Sequence, residues 1–350
     1  MLSFQQHKSL RCFNTLAVDV NARWFVQLDD EQQLPEALAY ADKHNLPVLV
    51  LGGGSNVVLA ADFDGLVINV ALLGVDVEIK NRDVIVTAAA GENWHNLVQV
   101  CLVQGFYGLE NLSLIPGSVG AAPIQNIGAY GVELSQCFVR LRGWDIQQST
   151  WRELTADDCD FGYRDSVFKN AFKSQFIITS VSLKLSLDAQ VSNSYAALQQ
   201  YFDEAAITQP SPQQVAAAVI EIRQCKLPDP AELANAGSFF KNPVISELHA
   251  EQLKQQWPAL VSYPQASGKV KLAAGWLLEQ AGWKGERQGE VGMHQQQALV
   301  LVNYGKASGS DILSFAHSIQ QDIYQKFGLS LEIEPAIIAG SDSAAAIGSR

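Results

Sequence analysis

Leu34, Ala37, Leu38 and Ala41 recur at helical spacing, which predicts a helix over 34–45. The continuous apolar run 47–51 has the pattern of a strand buried on both faces. Three glycines, Ser55 and Asn56 follow, then strand-like residues at 57–59, a turn over 62–65 and a strand at 66–68. Residues 1–70 thus read as a small α/β unit. Beyond 70 strands dominate, at 75–79, 84–88, 139–144 and 176–185, with turns between them. A helix over 92–104 stops at Gly105. The segment 105–131 carries six glycines and few charges, which points to an ordered, functional loop. Residues 186–209 are polar and read as irregular around Tyr195 and Tyr201.

Ser211 opens a helix whose apolar stripe is Val215, Ala218, Val219 and Ile222, and which ends before Pro228. Residues 227–333 read as an α+β unit with helices near 246–257, 272–281 and 311–327. The last has Ile312, Phe315, Ile319, Ile323 and Phe327 on one face and Gly328 as its stop. A buried strand is expected at 298–302. Leu329, Leu331 and Ile333 alternate with Ser330, Glu332 and Glu334, the pattern of a half-buried strand with Glu334 on its polar face. The tail 341–350 is small and polar and is expected to be disordered.

A chain of 350 residues exceeds one ordinary core, so two or three domains are expected. A net charge of −12 argues against a nucleic-acid binder, and any anionic ligand then needs a local pocket of cations or backbone N–H groups. No apolar run reaches the length of a membrane span, and the first residues lack a signal-peptide core. Five scattered cysteines suit a reducing cytoplasm. The six histidines show no metal-ligand spacing.

Several stretches carry candidate chemistry. Gly52, Gly53, Gly54, Ser55 and Asn56 follow a strand, where converging N–H groups suit a phosphate. Val57 breaks the G-x-G-x-x-G fingerprint, so a Rossmann site is excluded. A non-Rossmann pyrophosphate loop and a plain strand connection both remain. The glycine- and proline-rich stretch 114–131 can lie flat on a planar ligand, with Gln125 and Asn126 facing ring heteroatoms, or can serve as a packed inter-domain loop. Arg164 can grip a carboxylate bidentately or pair with Asp165. Lys226 can offset a helix dipole or reach a pyrophosphate. Glu334 reads as a strand-end carboxylate. Ser238, between Gly237 and two phenylalanines, can be a reactive hydroxyl or part of a turn entering a strand.

Taken together, 52–56, 108–111, 115–120, 123–131, 163–166, 226–230, 237–243, 272–276 and 297–300 resemble the UDP-N-acetylenolpyruvoylglucosamine reductase family, flavin enzymes of bacterial peptidoglycan precursor synthesis. The resemblance implies an α+β fold: a two-part FAD-binding region of the non-Rossmann, vanillyl-alcohol-oxidase-like type, and a separate α+β substrate-binding domain. It divides the chain into 1–70 joined by 334–350, 71–226 and 227–333. The segment 186–209 corresponds to the tyrosine-bearing loop of the longer form. The implied reaction is NADPH-dependent, FAD-mediated reduction of UDP-N-acetylglucosamine enolpyruvate to UDP-N-acetylmuramate. Implied catalytic residues are Ser238 as proton donor, Arg164 facing the substrate carboxylate, and Glu334, protonated or strongly hydrogen-bonded beside it. Implied FAD contacts are Gly52, Gly53, Gly54, Ser55, Asn56, Pro116, Gly117, Ser118, Gly120, Gln125, Asn126 and Gly128. Tyr163, Tyr195, Lys226, Asn242 and Gln297 are assigned to the UDP-sugar. A cytoplasmic monomer is expected, with no metal, nucleic-acid, membrane or obligate protein partner. The competing readings are an FAD-dependent oxidase using O₂ on an alcohol or sugar acid, and a nucleotide-binding module without catalysis.

Overall fold

The computed structural model describes residues 2–265 and 268–340. The first sheet runs in the order Gln5–Ser9, Asn21–Leu28, Phe63–Val70, Val48–Leu51. Its first pair is antiparallel and the other two are parallel. The Leu34–Lys43 helix buries Leu34, Ala37 and Ala41 against it, as the spacing requires. Val48–Leu51, the last strand of its sheet, buries Val48 in one core and Leu49 and Leu51 in another, as a strand covered on both faces requires, and only Val50 of the four is exposed. One expectation is corrected here. The residues expected to turn at 62–65 lie largely within the Phe63–Val70 strand. Gly65 is needed there for close approach, since a Cβ would meet Pro47 O at 2.3 Å.

The second sheet is antiparallel, in the order Thr150–Thr155, Phe138–Asp145, Phe176–Ser186, Asp83–Ala89, Val75–Lys80. Val84, Val86 and Ala88 share a core with Trp94, Leu97, Val98 and Cys101 of the Trp94–Val103 helix, which Asn93 caps. The glycine-rich segment is ordered as expected. Short 3-10 turns form at Glu110–Leu112 and Val119–Gln125, and Trp94 Nε1 donates to Leu112 O at 2.9 Å. Residues 186–209 are not wholly irregular, because a helix forms over Ala196–Glu204. Leu198 and Phe202 anchor it in a small core with Val215, Ala218 and Val219 of the Pro212–Lys226 helix.

The last third builds a four-stranded sheet, Asn235–Ser238, Val300–Asn303, Val291–Met293, Arg287–Gln288, and a three-stranded one, Val244–Ser246, Lys269–Leu272, Ser262–Gln265. The helices are Glu247–Gln256, Ala274–Ala281 and Gly309–Phe327, the last closed by a Ser308–Asp311 capping box and by Gly328 at φ 67°. The expected helix at 272–281 starts two residues late because Leu272 ends a strand. The stretch 329–333 is not a regular strand, although Leu329 and Leu331 are buried as the alternation requires. It makes a single bridge, from Ile333 to Phe240. Ala336–Ile338 then pairs in parallel with Val57–Leu59, returning the chain to its first unit. One hydrophobic core joins Phe25, Leu59 and Phe63 to Phe239, Phe240 and Phe315, so the first and last units pack as one body. The disorder expected for 341–350 concerns positions outside the described residues.

Candidate active site

Two short segments bring the site together. Gly162 N donates to Asp165 O at 3.0 Å and Asp165 N returns a bond to Gly162 O at 3.3 Å, leaving Tyr163 and Arg164 at the tip of a tight turn. Arg164 sits in the left-handed region at φ 54°. Its carbonyl accepts from Lys169 Nζ at 3.0 Å, its Nη2 donates to Gly128 O at 2.8 Å, and its Nε lies 3.3 Å from Glu334 Oε1. The alternative Arg164–Asp165 pair is not formed. Asp165 instead accepts from Asn170 Nδ2 and from Ser166 N.

Facing this tip, 239–241 runs antiparallel to 332–334. Glu334 N donates to Phe239 O and Lys241 N to Glu332 O, both at 2.9 Å. Buried Phe239 and Phe240 fix that run, so Ser238 is held one residue from the backbone that pairs with Glu334. The Ser238 side chain is exposed, and its hydroxyl has no hydrogen-bond partner among the described residues.

Glu334 corrects the expectation of a polar-face carboxylate, since its side chain is only 12% exposed. Burial raises its carboxyl above the ordinary glutamate range, against the opposing pull of Arg164, Lys169 and Lys241. Lys169 and Lys241 were not singled out from sequence, although Lys241 lies inside the 237–243 stretch and Lys169 three residues past 163–166. Lys241 pairs with Glu332, and burial together with Lys241 lowers the Lys169 ammonium. Arg223 and Lys271 were missed as well. The buried Arg223 Nε has no partner among the described residues, and burial lowers its guanidinium. Lys271 Nζ stands 4.7 Å from the Tyr163 ring, and burial lowers it too. A chain of net charge −12 thus gathers Arg164, Lys169 and Lys241 around Glu334 and Lys271 at Tyr163, with Arg223 near Tyr130 and Arg164, a set of cations suited to an anionic ligand. Their sequence signal was weak, because a lone Lys or Arg usually lies on a solvated surface.

The glycine-rich stretches meet as a cradle. Ser55 Oγ donates to Pro116 O at 3.2 Å and Asn56 Nδ2 to Gln125 Oε1 at 2.8 Å. Gly53 packs on Gly117, and the Ser118 hydroxyl fills the space where a Gly52 side chain would stand. Gly54 has φ 59°, and a Cβ there would lie 2.0 Å from Phe13 O, so only glycine fits. The N–H groups of Gly53, Gly54 and Ser55 donate to no acceptor among the described residues. Free amides on a glycine turn suit the pyrophosphate of FAD.

Two positions contribute differently from expectation. Asn126 is fully engaged: its Nδ2 donates to Glu133 and to Gly162 O, and its Oδ1 accepts from Ser135 N. Its side chain therefore holds the loop's shape and has no polar group left for a ring heteroatom, whereas the Gln125 amide N–H₂ donates to no acceptor among the described residues. Gly120 N is taken by Ala90 O at 2.9 Å.

Among the expected substrate residues, Asn242 lies near the Tyr163 phenol, and its Oδ1 accepts from Ala274 N at 2.9 Å at the start of the Ala274–Ala281 helix. Gln297 lies beside Gly275 of the same helix and accepts from Leu299 N at 3.4 Å. Tyr195 sits at the N-cap of Ala196–Glu204 with its ring edge on Tyr130, centroids 5.4 Å apart. Lys226 stands exposed at the end of its helix, without a partner among the described residues. The described residues hold no group of three or more His, Cys, Asp or Glu side chains placed for a metal ion. No described helix is long and apolar enough to cross a membrane.

Comparison with known proteins places this geometry in a family. Residues 22–153 match the FAD binding domain model, and 229–338 match that of the UDP-N-acetylenolpyruvoylglucosamine reductase C-terminal domain. The chain is 52% identical over 336 residues to the UDP-N-acetylenolpyruvoylglucosamine reductase of Pseudomonas syringae pv. syringae, covering 95% of this chain and 98% of that one. It is 49% identical over 339 residues to the enzyme of that name from Chromobacterium violaceum, covering 96% and 99%. The fold matches the solved UDP-N-acetylenolpyruvylglucosamine reductase of Thermus caldophilus with a TM-score of 0.67 at 23% identity, over 96% of this chain and 98% of that one. This chain belongs to the UDP-N-acetylenolpyruvoylglucosamine reductase family.

Proposed function

We propose that the chain catalyses the NADPH-dependent, FAD-mediated reduction of UDP-N-acetylglucosamine enolpyruvate to UDP-N-acetylmuramate, a step of peptidoglycan precursor synthesis. The observation that supports the assignment of roles is the 3.3 Å contact of Arg164 with Glu334 among cations, with Ser238 one residue before Phe239, whose carbonyl accepts from Glu334 N. When bound on the 52–56 and 116–128 cradle, FAD supplies hydride transfer from NADPH to the substrate alkene. Reduction builds negative charge toward the substrate carboxylate. Arg164, already anchored by Gly128 O, stabilises that charge as it develops. Glu334 steadies the guanidinium, and burial favours its neutral form, which limits repulsion with the carboxylate. Ser238 holds the proton that the adjacent carbon takes. A serine hydroxyl is a weak acid, so the step depends on a strongly basic acceptor.

Tyr163, Tyr195, Lys226, Asn242 and Gln297 hold the UDP-sugar. Residues 1–70 with 334–340 and residues 71–226 carry FAD, and 227–333 bind the substrate. The enzyme acts in the cytoplasm as a monomer. The relatives that cover nearly the whole chain are named reductases, which leaves the oxidase reading without support.

The test is the visible spectrum of the purified protein under anaerobic conditions. A yellow protein that bleaches with NADPH and recolours with UDP-N-acetylglucosamine enolpyruvate supports the reading. Recolouring only on admission of air would overturn it.

A further inference from the structure

Asn111 is buried within the Glu110–Leu112 turn, and its amide joins two distant segments. Nδ2 donates to Tyr130 O at 2.9 Å and to Ser192 O at 2.8 Å. Both amide hydrogens are therefore used on carbonyls that belong to different loops. Tyr130 is the last residue but one of the glycine-rich stretch and stands at φ 48°. Ser192 lies three residues before Tyr195, and the two tyrosine rings meet edge to face at 75°. On its far side the Tyr195 segment is held differently. Leu198 and Phe202 sit in the small core, and Tyr201 Oη donates to Glu221 at 2.6 Å. Asn111 is thus a hydrogen-bonded tie between the near side of this segment, where Val191 also packs on the small core, and the FAD-binding part of the chain.

We propose that Asn111 is a positioning residue for substrate binding. Its amide fixes the 192–195 backbone to the Tyr130 backbone and so sets where the Tyr195 ring stands. The Glu110–Leu112 turn is itself packed on the Pro212–Lys226 helix, which makes the anchor rigid. Residues expected at the substrate come from both sides of the tie, Tyr195 from the loop and Lys226 from the end of that helix. Asn111 itself bonds none of Arg164, Glu334 or Ser238, so removing its amide loosens the near side of the loop first.

The proposal rests on the reading that Tyr195 contacts the substrate, and a double-mutant cycle separates the two ideas. Asn111→Leu, Tyr195→Ala and the double variant are purified with FAD bound and assayed for KM and kcat on the enolpyruvyl substrate. Asn111→Leu is expected to raise KM by about tenfold, the loss of one or two hydrogen bonds, with kcat within about twofold. In the Tyr195→Ala background the same change is expected to add nothing further. Asn111→Asp preserves the shape and removes the donor; it should reproduce the KM effect even if the leucine variant folds poorly. Limited proteolysis should cut 188–194 faster in either variant. Were Asn111→Leu to raise KM equally in both backgrounds, the residue would not act through Tyr195 and the proposal would be overturned. An unchanged KM in both Asn111 variants, with a raised one in Tyr195→Ala, would also overturn it while leaving the Tyr195 assignment intact. An unchanged KM in Tyr195→Ala would remove that assignment and the proposal with it.

Discussion

Arg164→Lys preserves the positive charge and removes the planar fork. In the structure one guanidinium edge reaches Gly128 O at 2.8 Å while Nε stays 3.3 Å from Glu334. A single ammonium cannot reproduce both contacts and still face a substrate carboxylate. Losing one hydrogen bond to a charged group costs about 1.5–3 kcal/mol. At about 1.4 kcal/mol per factor of ten, substrate reduction should slow by roughly 10- to 150-fold. Arg164→Met removes the charge as well and should cost at least about 10²–10³, the scale seen for lost transition-state donors. The assay is anaerobic stopped flow in two halves: reduction of the bound flavin by NADPH, then its reoxidation by the enolpyruvyl substrate. Only the second half should respond to Arg164→Lys. A lysine variant that is reoxidised at the wild-type rate would refute the role, and so would one in which both halves slow equally.

Other changes give further outcomes. Burial raises the Glu334 carboxyl above its ordinary 4.5, so its ionisation weakens the fold as pH rises from there through the raised value. Glu334→Gln does not ionise. Its melting temperature relative to wild type should therefore climb across that window, and a difference independent of pH would contradict the assignment. Gly54→Ala forces a left-handed alanine and a contact of 2.0 Å with Phe13 O, so the purified variant should carry much less FAD by its visible-to-ultraviolet absorbance ratio. Ser308→Ala removes the capping box of the Gly309–Phe327 helix and should cost about 1 kcal/mol, a drop of about 2 °C in Tm, with flavin content unchanged.

Local pattern carried the elements that own their hydrophobic signal. The Gly309–Phe327 helix shows five apolar residues on one face between a serine cap and a glycine stop. The pairs Val75–Lys80 with Asp83–Ala89 follow from alternation around a short turn. The pattern failed where tertiary contacts decide. Ala196–Glu204 has only Leu198 and Phe202 buried, too few for a stripe, and it exists because the neighbouring helix supplies the other half of its core. Glu334 reads as a surface acid because burial by a distant arginine leaves no trace in its neighbours. Asn126 looked like a ligand amide, and the Glu133 carboxylate, Gly162 O and Ser135 N claim it instead. Ser238, Arg164 and the 52–56 turn stand out in the sequence because unusual residues are clustered there. The surrounding Lys169, Arg223, Lys241 and Lys271 do not, since they come from four separate segments of chain.

The central claim is that the free Ser238 hydroxyl delivers the proton in substrate reduction. It is tested most directly by Ser238→Ala, reduced anaerobically with NADPH and then mixed with UDP-N-acetylglucosamine enolpyruvate. Ser238 is exposed and without a side-chain partner among the described residues, so the variant should fold, bind FAD and accept electrons from NADPH at close to the wild-type rate. Recolouring by the substrate should then slow by at least about 10²-fold. Recolouring at the wild-type rate would contradict the claim, and an equal loss in both steps would make Ser238 a structural residue of the turn.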